Sequence, residues 1–242
     1  MITSTGILSK LISFIVEKSA SRLIALPFDK RKKACRTLTK LYYSIQCLDE
    51  ATQSLLDTFQ GFQKRGAACA LQTCLFNHQR DIELASNMFM ELSEELEPGL
   101  EIIDPSLSKC CSAIYSGKGG FLDYISNSIT IDRHAGRATV ILNIPNGSIS
   151  SEGLEAMYQS AEEAEAQQVK HFWPHGVFEF LSRDIKRIEI ENINDEAGSE
   201  LIRMIQNQNR LLKEAKESLR LLLKDSFTID EILFQDNSHP YR

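Results

Sequence analysis

Apolar residues recur every three or four positions over most of the chain, and this spacing predicts long amphipathic helices. Ile7, Leu8, Leu11, Ile12, Ile15 and Val16 make one broad stripe, so residues 4–25 read as a first helix capped by Ser4 or Thr5. Pro27 sets its boundary, because the residue before a proline is biased out of the α region. Residues 28–64 read as a second helix, whose seam runs Leu38, Leu41, Ile45, Leu48, Thr52, Leu55, Phe59, Phe62. Gly66 ends it. A third helix over 67–97 carries Leu71, Leu75, His78, Ile82, Ala85, Phe89, Leu92 and Leu96 on the same alternation, and Pro98-Gly99 stops it. Two long seams joined by a tight link predict an antiparallel helical hairpin, against which the first helix hides its stripe.

A shorter helix follows over 106–115, with Asp104 as its cap and Pro105 at its first position. The pattern then changes. Ile129–Asp132 and Ala138–Ile144 are rich in β-branched residues and flank the five-residue loop Arg133-His134-Ala135-Gly136-Arg137, which reads as a hairpin. Ser151 caps a polar helix running to about Phe172. Arg187–Glu191 alternates like a third strand. Residues 195–225 return to helical spacing, with a seam through Leu201, Ile205, Gln208, Leu212, Ala215, Leu219 and Leu222. The expected fold class is therefore α+β, predominantly α. A long antiparallel helical bundle over 1–116 carries a small inserted three-stranded β-containing subdomain over 117–194. The long helix of 195–242 then returns to the bundle and ends in a loose tail.

Composition supports a globular chain: 242 residues, 43% hydrophobic and 25% charged. No run of apolar residues is long enough for an ordinary membrane-spanning helix. Charge changes the picture more. The net charge is −6, yet residues 1–40 hold nine basic and two acidic side chains, +7, which leaves −13 for the rest. Such asymmetry points to a basic end that meets an anionic surface or the acidic face of a second copy. The six cysteines (Cys35, Cys47, Cys69, Cys74, Cys110, Cys111) have no disulfide-framework spacing, and they read as reduced thiols of a cytoplasmic protein.

Candidate chemistry is sparse. Cys69, Cys74 and His78 fall on a helix rather than on the turn that a zinc site uses, and no metal is expected. Cys110-Cys111 lacks the spacing of a redox pair. Ser116-Gly117-Lys118-Gly119-Gly120 lacks the hydroxyl residue and the strand–loop–helix setting of a phosphate loop. Arg133, His134 and Arg137 share one loop, and two guanidinium forks with an imidazole can grip a phosphate or carboxylate. Nothing assembles a nucleophile, a base and an oxyanion donor, so no catalytic residue and no cofactor are expected, and the enzyme question leans to no.

The chain thus reads as a non-enzymatic helical interaction or assembly protein, a subunit of a larger complex with a protein partner or its own copy as the contact. The anion- or partner-binding residues are Lys30, Arg31, Lys32, Lys33 and Arg36, with Arg133, His134 and Arg137. The alternative is a peripheral membrane effector. Its first helix would lay Ile7, Leu8, Leu11, Ile12 and Ile15 on an anionic membrane surface, with the Lys30–Lys33 cluster as second signal. Nucleic acid ranks below both, since the chain is acidic and shows no known binding module.

Overall fold

The computed structural model describes residues 4–65, 80, 84, 87, 91–92, 94–115, 129–132, 139–145, 151–170, 185–190 and 196–233, some of them by backbone alone. Helix α1 (Ser4–Leu23) and helix α2 (Phe28–Arg65) begin and end within two residues of the expected positions. Pro27 sits between them, and its carbonyl accepts the Arg31 amide at 2.8 Å, which closes the first turn of α2. Leu38, Leu41, Ile45, Leu48, Thr52, Leu55 and Phe59 are all buried, as the heptad seam requires.

Residues 94–103 form the described end of the next helix, α3. The helix passes through Pro98-Gly99 instead of stopping there. Proline removes one backbone donor, a loss that packing can offset. Leu96, Leu100 and Ile103 all bury themselves against the core along this segment. Gly99 of α3 lies against Thr37 of α2. A Cβ built on it would stand 2.3 Å from Thr37 Oγ1 and 2.7 Å from Thr37 Cγ2, so only a glycine fits. Gly99→Ala is expected to destabilise the protein by about 1–3 kcal/mol, the usual range for overpacking. Thr37→Ala in the same chain should recover most of that loss in a thermal melt. An unchanged melt for Gly99→Ala alone would refute the close contact.

Asp104 breaks the chain between α3 and helix α4 (Pro105–Tyr115). Its Oδ1 accepts the Ser106 amide at 2.9 Å, the N-cap bond expected from the sequence. Helix α5 (Ser151–Ala166) is shorter than expected. The amide of Val169 bonds Ala164 O at 2.8 Å and that of Gln168 bonds Glu165 O at 3.0 Å, with Gln168 at φ 56°. That is a Schellman ending, and it stops the helix six residues early. Helix α6 (Glu196–Ser226) runs back along α2 and α1, and the short helix α7 (Ile229–Leu233) packs on the start of α2. Asp49 meets Lys216 while Gln53 meets Lys213, so α2 and α6 are antiparallel.

One buried cluster unites these elements, with Ile12 and Ile15 from α1, Leu38 from α2, Leu100 from α3, Leu107 from α4, Met157 from α5 and Leu219 from α6. Helix α5 corrects the expected fold class. The α+β reading set this helix within the inserted β-containing subdomain, but its stripe of Leu154, Met157, Tyr158, Ala161 and Ala164 is buried, and the helix packs on α4 and α1. Small Ala161 and Ala164 admit the close approach that a stripe of larger residues would forbid. Of the residues whose side-chain surroundings are described, 91% are helical and none lies in a strand, so the fold is helical. The expected three-stranded β-containing subdomain is not seen among those residues. Backbone alone is described for three extended segments, β1 (Ile129–Asp132), β2 (Thr139–Pro145) and β3 (Ile185–Ile190). They pair antiparallel in that order, with Thr130 opposite Ile141 and Leu142 opposite Ile188.

Candidate functional site

The basic N-terminal stretch meets its anions inside its own chain. Lys18 Nζ bonds Glu155 at 2.9 Å, and Arg22 reaches Asp104 at 2.7 Å and Glu162 at 3.3 Å. Arg31 bonds Glu231 at 2.7 Å, Lys40 bonds Glu95 at 2.5 Å, and Arg36 stands 3.9 Å from the same carboxylate. The charge asymmetry of the sequence is therefore largely an internal complementarity between the first two helices and the later ones. Three polar assemblies result.

The first lies where α1, α4 and α5 meet. Tyr158 is buried, and its hydroxyl donates to Asp104 Oδ2 at 2.6 Å while accepting from Arg22 Nη2 at 2.8 Å. Its ring packs edge-on to Phe14, with centroids 5.6 Å apart, and Lys18 Nζ stands 4.6 Å from its centre. Burial, then hydrogen bonding to Asp104 and Glu162, raises the Tyr158 hydroxyl well above its ordinary value, so it stays a neutral donor. Lys109 ties α4 to the end of α5, with Glu165 at 2.5 Å and the Val169 carbonyl at 3.3 Å. A cation there also suits the helix C-terminus.

The second assembly is a polar layer in the α2–α6 seam. Asn209 Nδ2 donates to Asp49 Oδ1 at 3.2 Å, and Lys216 bonds the other carboxylate oxygen. Asp49 and Asn209 are both buried. The seam runs through Asn209, whereas Gln208, expected there, is only half-buried. Beside this layer lie shallow, open grooves lined by Glu50, Gln53, Ser54, Asp57 and Lys213.

The third assembly fastens α7. Thr228 and Glu231 form a capping box: the Thr228 amide donates to Glu231 Oε2 at 2.8 Å, and the Glu231 amide donates to Thr228 Oγ1 at 3.2 Å. Arg31 grips the same carboxylate from α2 and also donates to the Ser226 carbonyl, above the Phe227 ring. The Arg31 hydrogen bond, with the Thr228 amide second, holds Glu231 down at about 2. A depressed carboxylate stabilises the folded state at neutral pH. That contribution fades as pH falls from the ordinary 4.5 through about 2. Glu231→Gln should flatten that part of the acid stability profile and speed amide exchange across 229–233 at neutral pH. Equal exchange in the variant and the parent would mean that the clamp does not hold α7.

The expected site residues scatter. Arg31 and Arg36 face carboxylates of the same chain, while Lys30 and Lys33 are exposed and Lys32 is half-buried. Arg133, His134 and Arg137 lie outside the described residues, as do Cys69, Cys74 and His78. Leu11, Ile12 and Ile15, read as a membrane face in the alternative, are buried in the core. Ile7 and Leu8 belong to α1, their side chains outside the description. The reason is that α1 needs its stripe to pack on α6, so the described part of it offers no face to lipid. Among the described residues, no helix is long and apolar enough to cross a membrane.

The geometry also bears on reactivity. Burial, with Asp104 and Glu162 adding to it, pushes the Cys110 thiol up to about 12, and burial with Glu50 raises Cys47. Cys35, Cys47 and Cys110 are free thiols. Each resolved shift on a candidate nucleophile runs away from activation. Among the described residues, no cluster of His, Cys, Asp or Glu is placed to hold a metal ion. Compared with family models, curated proteins and solved structures, the chain matches none.

Sequence reasoning passed over Tyr158, the Asp49–Asn209–Lys216 layer and one group of exposed apolar residues. Ile24 and Phe28 at the α1–α2 elbow are 69% and 68% exposed, and Ile229 and Leu233 on α7 are 74% and 65% exposed. The Thr-x-x-Glu signal at 228–231 was legible and marks α7 as a helix, from which the outward pair Ile229 and Leu233 follows by spacing.

Proposed function

We propose that the protein is a non-enzymatic helical interaction protein, a subunit that works through contact with another protein surface. The observation that carries this reading is a division of labour between side chains. Charged groups of the first two helices are engaged in contacts between helices, while four large apolar side chains face outward at one end of the body. An exposed apolar patch costs solubility, and an apolar patch at a fixed place in a fold is a mark of an interaction site. The Cys47 and Cys110 thiols and the buried phenol are shifted away from nucleophilic use, which further favours contact over catalysis.

A photo-crosslinking residue placed at Phe28 tests the reading in cells, with one at exposed Gln206 as the control. Discrete heavier adducts are expected from position 28 and not from position 206. No adduct at position 28, or the same set at both, would refute an interaction surface at this end.

A further inference from the structure

Among the described helices, α7 alone has no buried residue. Ile232 is its one partly buried apolar side chain packed against the core, while Ile229 and Leu233 are exposed. Five residues do not hold a helix by themselves, because the first turn fixes several dihedrals for a single hydrogen bond. Helix α7 therefore owes its form to its docking on the start of α2 and to its own cap.

One carboxylate serves both. Glu231 accepts from Arg31 Nε at 2.7 Å and from Arg31 Nη2 at 3.2 Å, and it also takes the Thr228 amide. Arg31 is held in place without it, because Arg31 donates to the Ser226 carbonyl and lies over the Phe227 ring, 5.4 Å from its centre. Ser226 and Phe227 are buried and belong to the body. Thr228, exposed between α6 and α7, is the first residue that can swing. Under the strap lies a thiol: Cys35 is fully buried, and its Sγ donates to the Glu231 carbonyl at 3.7 Å, a weak sulfur hydrogen bond. Opening a segment costs only the contacts of that segment, and here these are one ion pair, one weak sulfur contact and part of one isoleucine.

We infer that α7 is a strap, latched by Arg31 on Glu231 and hinged at Thr228, which lifts from α2 while the rest of the helical body stays folded, and that this motion uncovers Cys35. The closed form holds Ile229 and Leu233 in fixed places, and the open form releases them.

Labelling of the folded full chain with N-ethylmaleimide tests it, read at Cys35 by peptide mass. The thiolate sulfur adds to the maleimide double bond and water supplies the proton that completes the adduct. The rate at Cys35 should be flat in urea well below the unfolding transition, because lifting five residues exposes little surface. Glu231→Gln should raise that rate about tenfold, the factor for losing a charge-assisted hydrogen bond partly screened by water. Asp104→Asn weakens the distant junction of α1, α4 and α5 and should leave the Cys35 rate within about twofold of the parent, since the open strap does not involve that junction. Amide exchange over 229–233 should follow the same order among the three proteins. A Cys35 rate that climbs steeply with urea from the start, or that rises in Asp104→Asn as the melt falls, would mean that Cys35 opens only with the whole body and would overturn the strap. So would a rate indifferent to Glu231→Gln, or a Cys35 labelled while the 229–233 amides remain protected.

Discussion

Asp104→Ala lowers the melting temperature by about 6–12 °C, the shift that about 3 kcal/mol produces in a domain of this size. Asp104 is 1% exposed and performs two tasks at one point. Oδ1 caps α4 through the Ser106 amide, and removing such a cap costs about 0.5–2 kcal/mol. Oδ2 accepts from the Tyr158 hydroxyl and from Arg22. After truncation the buried hydroxyl loses its 2.6 Å acceptor and keeps only Glu162, a loss that adds about 1 kcal/mol or more. Arg22 is 42% exposed, so its own loss is softened by water and adds little. Asp104→Asn keeps an oxygen for the cap and should fall between parent and alanine variant. Tyr158→Phe leaves the cap intact and should cost least of the three. Melting curves settle the order; an alanine variant within about 2 °C of the parent would mean that the three helices do not depend on this junction.

Lys216→Met should be at least as damaging, by about 3–5 kcal/mol, because it leaves the Asp49 carboxylate in the α2–α6 seam with only Asn209 for company. The Lys216 side chain is 28% exposed and can reach water on its own, whereas Asp49 at 4% cannot. The converse variant, Asp49→Leu, is therefore the milder one. Its penalty falls mainly on Asn209, which loses an acceptor in a buried place. The double variant Asp49→Leu with Lys216→Met should sit within about 1 kcal/mol of Asp49→Leu alone, since the lysine no longer answers a buried charge. A denaturant titration of all four proteins gives the coupling directly. If the two single losses simply add in the double variant, the pair does not act as a unit.

This polar layer also has a registry consequence. A heptad seam of leucines and alanines is nearly periodic, and sliding α6 by one heptad along α2 would preserve most apolar contacts. Only one register sets Asn209 and Lys216 together on Asp49. The sequence reading placed Gln208 on that seam. The straight helix drifts against a strict seven-residue repeat and brings Asn209 inward instead.

What the sequence by itself determined is local. Pro27 separates α1 from α2, Asp104-Pro105 starts α4, and the spacing of Leu38 through Phe59 and of Leu212 through Leu222 marks the buried faces of α2 and α6. Each of these signals acts within a few residues, through a cap, a missing amide or a helical period, and therefore can be read without the fold. The tertiary structure alone decided the rest. Helix α3 continues through Pro98-Gly99 because Leu100 and Ile103 gain burial and Gly99 fits against Thr37. Helix α5 joins the bundle instead of the inserted subdomain because Tyr158 finds Asp104 and Arg22 there. Most telling is the basic stretch. Read along the chain, Lys18, Arg22, Arg31 and Lys40 look like an excess of positive charge awaiting an outside partner. In space, Glu155, Asp104, Glu231 and Glu95 stand against them. Coulomb attraction depends on distance in three dimensions, and chain separation carries no information about it until the helices pack.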